Sequence, residues 1–345
     1  MAIFSPYPQT DLEQIAMSLG RDVYELKYAK ILITGGSGFV GTWLISALLY
    51  LDTKYSLNLR IVSNSRTFET YTTKFSKEVI GRIEILTGDV ANLNISEIEF
   101  DFVFHGSTST IENSLSLEIN SLTSSSAFAA ENLIQQISRK KKGTIFVHLS
   151  SGAVYGPQFQ DFEPRKAFEP TQEETKNNSF SERYQDAKVK TERIVQDSSE
   201  SNLIVGVNAR LFAFYGPGLP VNQQFAIGNF MRDALSHDKV IKVLGNPDSI
   251  RSYMHASDLT YCLIKLAIER KPGNFNVGSP DGDSIINWAR KVAKKLGAEV
   301  SIETINPQIS FYVPDMQNSS QMTFIPRLDF EGYIEDWAFW LMPQL

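Results

Sequence analysis

A tyrosine and a lysine stand four residues apart in this chain, as Tyr184 and Lys188. Residues at this spacing share one face of a helix, so the phenol and the ammonium would lie side by side. A neighbouring positive charge lowers the pKa of a phenol, which could then exchange a proton with an oxygen of a bound molecule. The pair therefore predicts acid–base chemistry, in which Tyr184 moves the proton and Lys188 tunes it.

The spacing alone is not specific, because two further copies occur in the same chain. The copy at 184–188 follows a predicted strand that ends in Ser150 and Ser151. A hydroxyl at that end of a parallel strand lies at the edge where such sheets bind ligands. We therefore predict that Ser151 holds the reacting oxygen while Tyr184 moves the proton. The other copies, both in predicted core helices, are Tyr50 with Lys54 and Tyr261 with Lys265.

Three glycines at intervals of three residues, Gly35, Gly38 and Gly41, separate a β-branched strand from an apolar helix. The first glycine permits a tight turn, the second lets backbone amides approach a pyrophosphate, and the third allows close helix packing. The start of the helix also offers free N–H groups and the positive end of its dipole to phosphates. This context predicts a dinucleotide site on the turn and on the first helical residues, Phe39 and Val40.

The second predicted strand, 59–63, should end beside the adenosine ribose of such a dinucleotide. A site that chooses NAD usually has an Asp or a Glu there, whereas this chain continues with Asn64, Ser65 and Arg66. An arginine favours a 2′-phosphate through charge-assisted hydrogen bonds. We therefore predict that Ser65 and Arg66 contact the cofactor and that the cofactor is NADP, with NAD as the alternative.

Strands alternate with helices along most of the chain, which indicates a parallel sheet covered on both faces. We predict an α/β fold: a Rossmann-type doubly wound parallel sheet, a smaller C-terminal α/β substrate lobe and an N-terminal helical extension. The predicted boundaries are 1–29 for the extension, 30–215 for the Rossmann domain and 216–345 for mainly the lobe, some of whose segments return to the Rossmann domain. The predicted strands are 30–34, 59–63, 83–86, 102–105, 144–149 and 203–210, and the predicted helices are 11–26, 39–51, 115–138, 182–198, 225–236, 258–269 and 284–296.

Composition narrows the classes of function. The 345 residues carry a net charge of −6 without a long basic run, which argues against nucleic-acid binding. The longest apolar stretches fall short of the ~20 residues of a membrane span, and the first ten residues lack the pattern of a signal peptide. The single cysteine, Cys262, excludes a disulfide within the chain and a cysteine-based metal cage, so we expect a cytoplasmic protein without a metal.

Together these motifs resemble the extended short-chain dehydrogenase/reductase family, in its nucleotide-sugar epimerase/dehydratase branch. The similarity runs roughly from residue 30 to the C-terminus, and it is specific because many motifs occur in the expected order. Besides the glycine turn, Ser151, Tyr184 and Lys188, the matching residues are Gly88-Asp89-Val90, His105-Gly106-Ser107, Asn120, Arg210 with Tyr215-Gly216-Pro217, Arg251-Ser252-Tyr253, Asp258 and Asn276-Val277-Gly278.

The resemblance implies roles for positions that the residues alone do not explain. Asp89 and Val90 would contact the adenine, and Gly106 would lie against the cofactor. Lys188 would hold the nicotinamide ribose in addition to tuning the phenol. Ser107 would contact the substrate.

The resemblance also implies how a nucleotide-linked sugar would be bound. Arg251 would contact the nucleotide diphosphate, and residues 225–231, beginning with Phe225, would line the nucleotide end of the pocket. The predicted helices 115–138 and 182–198 would pair with those of a second copy, so the resemblance implies a homodimer built on a four-helix bundle.

Departures from the family pattern narrow the expected reaction. Gly152 and Ala153 occupy two positions where the 4,6-dehydratases of this family carry Asp and Glu, and neither residue can move a proton. Ala213 replaces a common asparagine of the substrate pocket, and the insertion between Ser151 and Tyr184 is longer than usual. We therefore expect NAD(P)-dependent hydride transfer on a nucleotide-linked sugar, as 4-keto reduction or 4-epimerisation. The alternatives are a 4,6-dehydratase that takes its acid from residues 161–182, and a non-catalytic regulator that binds the cofactor.

Overall fold

The computed structural model describes residues 5–107, 121–158, 179–221, 225–303, 308–316 and 330–344. The chain divides into two compact units. The first comprises residues 1–156, 170–211 and 260–275, and the second comprises 157–169, 212–259 and 276–345. The N-terminal extension thus belongs to the first unit, and one C-terminal segment returns to it.

Strands and helices alternate through the first unit, as the sequence predicts. In both units together, the described strands are β1 Lys30–Thr34, β2 Arg60–Ser65, β3 Glu84–Thr87, β4 Phe102–His105, β5 Thr144–Ser151, β6 Ile204–Leu211, β7 Phe214–Tyr215, β8 Val240–Val243, β9 Ile250–Ser252, β10 Met254–His255, β11 Gly273–Val277, β12 Gly282–Ser284, β13 Glu299–Ile302 and β14 Phe311–Tyr312. The helices are α1 Gln9–Leu19, α2 Phe39–Tyr55, α3 Glu69–Thr72, α4 Lys77–Ile80, α5 Ser121–Lys140, α6 Phe180–Glu200, α7 Ala226–Leu235, α8 Ala256–Glu269, α9 Ile285–Leu296 and α10 Phe330–Leu341.

The central sheet of the first unit has seven strands in the order β11-β6-β5-β4-β1-β2-β3. Neighbouring strands from β6 to β3 pair in parallel. The chain moves outward one way from β1 and the other way from β4, so their carboxyl ends flank the crevice where such sheets bind ligands. Four of the five residues of β1 and all residues of β4 and β5 are buried, because helices cover the sheet. The predicted Rossmann-type α/β fold is confirmed.

The N-terminal extension differs from its prediction as one helix over 11–26. Helix α1 ends at Leu19, and Gly20, with a φ of 54°, turns the chain into a 3-10 helix over Gly20–Leu26. A left-handed residue cannot continue an α-helix, and glycine adopts that conformation without strain. The single-helix prediction was therefore wrong.

The extension packs on the first unit through specific contacts. The ring of Tyr7 stacks on Trp43 of α2 at 4.0 Å between centroids, and its hydroxyl lies 2.5 Å from the Thr42 hydroxyl. Farther along, the Asp22 carboxylate lies 2.5 Å from the Lys265 ammonium of α8. These contacts fix the extension to α2, the helix that follows the glycine turn, and to α8.

The second unit is a smaller α/β body. Strands β12, β9 and β14 form one sheet, while β10 pairs with β7 and β13 pairs with β8. Helix α9 begins where the Ser284 hydroxyl accepts the Asn287 N–H, and it ends at Gly297 in the left-handed conformation. Across the described ranges, no helix combines the length and the apolar character needed to cross a membrane.

Candidate active site

The glycine turn after β1 is packed too closely for larger side chains. Gly35 has a φ of 71°, and a Cβ on it would lie 2.9 Å from the Gly106 carbonyl oxygen. A Cβ on Gly41 would lie 2.4 Å from the Gly35 carbonyl oxygen. Gly36, which the spacing argument did not single out, would place a Cβ 1.8 Å from the Ser63 hydroxyl. The turn therefore needs glycine for its backbone path and for its packing on the neighbouring strands.

Helix α2 begins directly at this turn. Gly38 is its N-cap and offers no side chain, so this residue caps the helix with no side-chain hydrogen bond. The N-terminus of this 17-residue helix carries partial positive charge, which suits a pyrophosphate. The residues present thus fit a dinucleotide.

Polar side chains gather at the carboxyl end of β2. The Ser65 hydroxyl lies 2.6 Å from the Ser37 hydroxyl of the glycine turn and 3.0 Å from the Thr70 hydroxyl. The Asn64 amide donates to the Leu86 carbonyl at 3.1 Å, which ties β2 to β3. Arg66 is exposed beside this cluster. The predicted ribose end of the site thus consists of hydroxyls and a cation.

The turn after β3 holds the predicted adenine contacts. The Gly88 N–H donates to the Ser65 carbonyl at 3.0 Å, so this turn lies beside the end of β2. The Asp89 carboxylate accepts the Ala91 N–H at 2.9 Å and caps a short 3-10 helix that begins at Val90. In this structure Asp89 therefore has a local structural role, while Val90 packs against the core.

The predicted catalytic residues come together at the carboxyl end of β5. Side chains of Ser151 and Tyr184 are hydrogen-bonded to each other, and the Ser151 hydroxyl also accepts the Ala153 N–H at 3.2 Å. The Lys188 ammonium lies 5.6 Å from the centre of the Tyr184 ring and donates to the Leu149 carbonyl at 2.6 Å. Two hydroxyls and an ammonium are thus held at the sheet edge where ligands bind.

The expected lowering of the Tyr184 pKa does not occur in the protein alone. Burial raises the pKa of Tyr184, and the hydrogen bond from Ser151 offsets only part of that shift. Burial also lowers the pKa of Lys188 to about 7, against the opposing effect of the Glu192 carboxylate. Desolvation disfavours the charged form of both groups. The predicted lowering of the Tyr184 pKa requires a nicotinamide cation beside Lys188, so it stays a prediction for the cofactor-bound chain.

A buried ion pair lies one helical turn beyond Lys188. The Glu192 carboxylate accepts from the Arg210 guanidinium at 2.8 Å and from the Ser150 hydroxyl at 2.5 Å. Arg210 also donates to the Tyr155 hydroxyl at 2.9 Å. Sequence reasoning missed this network, although the spacing of four residues from Lys188 to Glu192 was visible. The two serines therefore have different partners: the Ser150 hydroxyl donates to Glu192 of the ion pair, and the Ser151 hydroxyl is hydrogen-bonded to Tyr184.

Two buried histidines lie in the adjacent strands. His105 in β4 and His148 in β5 have ring centroids 5.8 Å apart, and His105 Nδ1 lies 2.9 Å from the Thr34 hydroxyl. Burial and the nearby Lys188 charge lower the pKa of His105 to about 3 and that of His148 well below its usual value. Both rings are therefore neutral near pH 7. The sequence analysis assigned His105 only to a family motif and did not identify His148.

The predicted substrate residues Phe225 and Arg251 belong to the second unit. Phe225 is half-buried and is the N-cap of α7. The Arg251 guanidinium donates to the Ser310 carbonyl at 2.9 Å and to the Ser310 hydroxyl at 2.7 Å, and burial lowers its pKa. Its contacts are neutral oxygens, so its positive charge is available to an anion.

Several predicted features lie at the edge of the described ranges or outside them. Ser107 is half-buried and is the last described residue before residue 121. Asn120 and the start of the helix predicted over 115–138 lie outside the described residues, as does most of the segment 161–182 that would supply the acid of a dehydratase. Gly152 and Ala153 are described, and they begin the 3-10 helix Gly152–Tyr155 directly after Ser151.

Sequence comparison links the chain to nucleotide-sugar enzymes. A UDP-N-acetyl-alpha-D-glucosaminuronate decarboxylase from Bacillus cytotoxicus is 26% identical over 334 residues, which is 90% of this chain and 97% of that protein. The UDP-glucuronic acid decarboxylase 4 of Arabidopsis thaliana is 24% identical over 281 residues, which is 80% of this chain and 59% of the plant protein. The chain thus spans less than two thirds of the plant relative's length.

Solved structures share the fold at low identity. A UDP-N-acetylglucosamine 4-epimerase from Methanobrevibacter ruminantium, in complex with UDP-N-acetylmuramic acid, aligns with a TM-score of 0.77 at 18% identity and covers 92% of this chain and 100% of its own. The UDP-glucuronic acid 4-epimerase from Bacillus cereus, in complex with UDP-glucuronic acid and NAD, gives a TM-score of 0.74 at 18% identity with the same coverage. The family model itself matches residues 31–278. The chain therefore belongs to the NAD dependent epimerase/dehydratase family.

Proposed function

We propose that this chain transfers a hydride to or from C4 of a nucleotide-linked sugar, in a 4-keto reduction or a 4-epimerisation. The observation that carries the proposal is the hydrogen bond between Ser151 and Tyr184 at the carboxyl end of β5, with Lys188 beside the phenol. Membership of a family of nucleotide-sugar enzymes supports the substrate class. Hydride transfer at C4 needs no acid or base beyond Ser151, Tyr184 and Lys188.

A bound nicotinamide would supply the hydride acceptor and donor. As a phenolate, Tyr184 takes the proton of the C4 hydroxyl as the hydride leaves C4, and as the phenol so formed it returns the proton in the reverse step. Ser151 donates a hydrogen bond to the same substrate oxygen and thereby orients it. A phenolate that forms on Tyr184 raises the pKa of Lys188, because the two opposite charges stabilise each other.

For the cofactor we propose NADP, with NAD as the alternative. The end of β2 carries no carboxylate to accept hydrogen bonds from a ribose diol, and it carries Ser65 and Arg66 instead. NAD is the cofactor in the solved UDP-glucuronic acid 4-epimerase of the same fold. Both dinucleotides are therefore supplied in the test below.

For the substrate we propose that Arg251 binds the diphosphate and that Phe225 borders the nucleotide. Arg251 has only neutral oxygens of Ser310 and Ile250 as its described hydrogen-bond partners, which supports an anion as a further partner. We also propose a homodimer through α5 and α6. These helices pack on each other, and Phe128 on α5 is 55% exposed, so apolar surface is available there.

A 4,6-dehydratase is less well supported. That reaction needs an acid to protonate the leaving hydroxyl and a base to remove the C5 proton. Gly152 and Ala153, which follow Ser151 directly, can supply neither. A dehydratase would have to recruit both groups from elsewhere in the chain.

Decarboxylation of a nucleotide-linked uronic acid is a second candidate, because the two sequence relatives named above are decarboxylases. Oxidation at C4 makes a ketone β to the C6 carboxylate. The C5–C6 bond can then break, carbon dioxide leaves, and the electron pair forms an enolate across C5 and C4. Protonation at C5 and return of the hydride to C4 complete the reaction. The initial oxidation needs the same Ser151, Tyr184 and Lys188.

Product analysis tests the proposal. The purified chain is incubated with UDP-hexoses, their 4-keto forms and UDP-glucuronic acid, each with NADPH, NADH, NADP or NAD, and products are identified by mass spectrometry and NMR. We expect either gain of two hydrogens or an isomer of unchanged mass. Loss of carbon dioxide would identify the decarboxylase, and loss of water the dehydratase. Cofactor binding without turnover of any substrate would indicate the non-catalytic regulator and contradict the proposal.

A further inference from the structure

Lys74 lies against the glycine turn, although it follows the turn by 37 residues. Its ammonium donates a hydrogen bond to the Ser37 carbonyl. The Ser37 hydroxyl lies 2.6 Å from the Ser65 hydroxyl, which in turn lies 3.0 Å from the Thr70 hydroxyl. One ammonium and three hydroxyls thus surround the carboxyl end of β2, and Arg66 lies exposed in the same segment.

The position of Lys74 is fixed by a buried anchor. Tyr71 is fully buried, and its hydroxyl lies 2.6 Å from the Ser63 hydroxyl of β2. The Lys74 N–H donates to the Tyr71 carbonyl at 2.9 Å, so the chain continues in a helical turn from that anchor. The next residue, Phe75, is also buried. Two buried aromatic rings therefore hold the backbone on both sides of Lys74.

The charges of this cluster are not neutralised within the described part of the chain. Neither Lys74 nor Arg66 forms an ion pair with a described carboxylate, whereas Arg60 near the start of the same strand pairs with Glu84. Two cations with hydroxyl donors and without a carboxylate paired to them suit a phosphate monoester dianion. A ribose diol would instead require an acceptor such as a carboxylate.

We propose that Lys74, together with Ser37, Ser65, Thr70 and Arg66, forms a pocket for the 2′-phosphate of NADP, and that Lys74 determines the choice of NADP over NAD. This inference rests on the proposed dinucleotide site at the glycine turn. Lys74 connects the glycine turn with the predicted ribose end of the site. Its ammonium donates to the Ser37 carbonyl of the turn, and the hydroxyls of Ser65 and Thr70 lie at the ribose end. No spacing rule in the sequence connects Lys74 to the glycines.

Binding to the purified, cofactor-free protein tests the inference without any turnover. Dissociation constants for NADPH and NADH are measured by fluorescence titration, and those for 2′,5′-ADP and 5′-ADP by calorimetry. We expect the wild type to prefer each 2′-phosphorylated ligand by at least about 10-fold. Lys74→Met should weaken NADPH and 2′,5′-ADP binding by about 10- to 100-fold and change NADH binding by less than about 2-fold.

Two further variants separate charge from structure. Lys74→Arg keeps the positive charge and should keep most of the preference. Lys77→Met removes a lysine three residues away, in α4, and it should leave the affinity for both dinucleotides unchanged. Higher salt should weaken NADPH binding more than NADH binding in the wild type, and this difference should shrink in Lys74→Met.

The outcomes distinguish this inference from the proposed function. Equal affinity of the wild type for NADPH and NADH, or equal losses for both in Lys74→Met, would overturn the role of Lys74 and leave hydride transfer intact. Binding of neither dinucleotide by the wild type would overturn the proposed function as well. Unchanged NADH binding in Lys74→Met shows that the variant is folded.

Discussion

Glu192 and Arg210 form a two-point ion pair inside the first unit, with oxygen–nitrogen distances of 3.0 and 2.8 Å. The Arg210 side chain is only 2% exposed and the Glu192 side chain 5%. Removing one partner of such a pair leaves an uncompensated buried charge. We therefore expect Arg210→Met to lower the free energy of unfolding by about 3–5 kcal/mol, measured by urea denaturation.

An exposed ion pair in the same unit provides the control for Arg210. Arg60 and Glu84 lie 2.7 Å apart, with side chains 48% and 42% exposed. Arg60→Met should change the free energy of unfolding by less than about 1 kcal/mol. The double variant Arg210→Met with Glu192→Met should recover part of the loss, because it leaves no unpaired charge. Equal stability of Arg210→Met and Arg60→Met would contradict this role of the pair.

The lowered pKa of Lys188 predicts a specific dependence of stability on pH. Burial lowers this pKa to about 7 in the folded chain, whereas an unfolded lysine titrates near 10.4. Between these values the unfolded chain binds a proton that the folded chain lacks, so stability rises with pH. From about pH 7 to about pH 9.5, the stability of the wild type relative to Lys188→Met should rise by on the order of 1–3 kcal/mol.

Lys265 is the matched control for this titration, since it belongs to another tyrosine–lysine pair of the same spacing. The hydrogen bond to Asp22 raises the pKa of Lys265. Its stabilising effect is complete below the unfolded pKa and is lost only as pH rises through the raised folded pKa. Urea denaturation over the same pH range should therefore show no rise in the stability of the wild type relative to Lys265→Met. A flat difference for Lys188→Met would show that its ammonium is not desolvated.

Gly41 should be required for the shape of the glycine turn. A Cβ there would lie 2.4 Å from the Gly35 carbonyl oxygen, so Gly41→Ala must displace backbone at the start of α2. We expect NADPH binding to weaken by at least about 10-fold in a fluorescence titration. Gly245→Ala, at a position where a Cβ would meet no atom within 4 Å, should bind normally. Normal binding by Gly41→Ala would be incompatible with a pyrophosphate site at this turn.

Tyr7 should make the N-terminal extension part of the stable core. It stacks on Trp43, hydrogen-bonds to Thr42 and is 8% exposed. Tyr7→Ala should lower the free energy of unfolding by about 3 kcal/mol in urea denaturation. Tyr28→Ala removes a tyrosine that is 66% exposed and should cost less than about 1 kcal/mol. Similar losses in the two variants would mean that the extension is only loosely attached.

Local patterns predicted the sheet well, because buried parallel strands are short apolar runs between glycine or polar residues. The observed β1 and β4 have the predicted bounds, and β5 extends only two residues farther, to Ser151. The three glycines were also visible, since their spacing reflects the turn itself. That Ser151 lies near Tyr184 and Lys188 could also be predicted, because the strand that ends at Ser151 is followed along the chain by the helix that carries the other two residues.

The features that were missed depend on contacts between distant parts of the chain. Nothing near Lys74 in the sequence indicates that it reaches Ser37, because that contact requires β2 to carry the following segment back to the turn. The partners of Glu192 come from β5 and β6, far away in sequence. The raised pKa of Tyr184 likewise reflects burial, which spacing along a helix does not report.

The central claim is that Tyr184 is the proton-transfer group, and Tyr184→Phe tests it most directly. The measurement is the kcat of Tyr184→Phe and Tyr50→Phe on whichever nucleotide sugar the product analysis identifies, with NADPH affinity measured in parallel. Tyr50 forms the second tyrosine–lysine pair, with its hydroxyl 3.4 Å from the Lys54 ammonium. We expect Tyr184→Phe to lose about 10²-fold or more in kcat with unchanged NADPH binding, and Tyr50→Phe to remain active. Near-normal turnover by Tyr184→Phe would contradict the account.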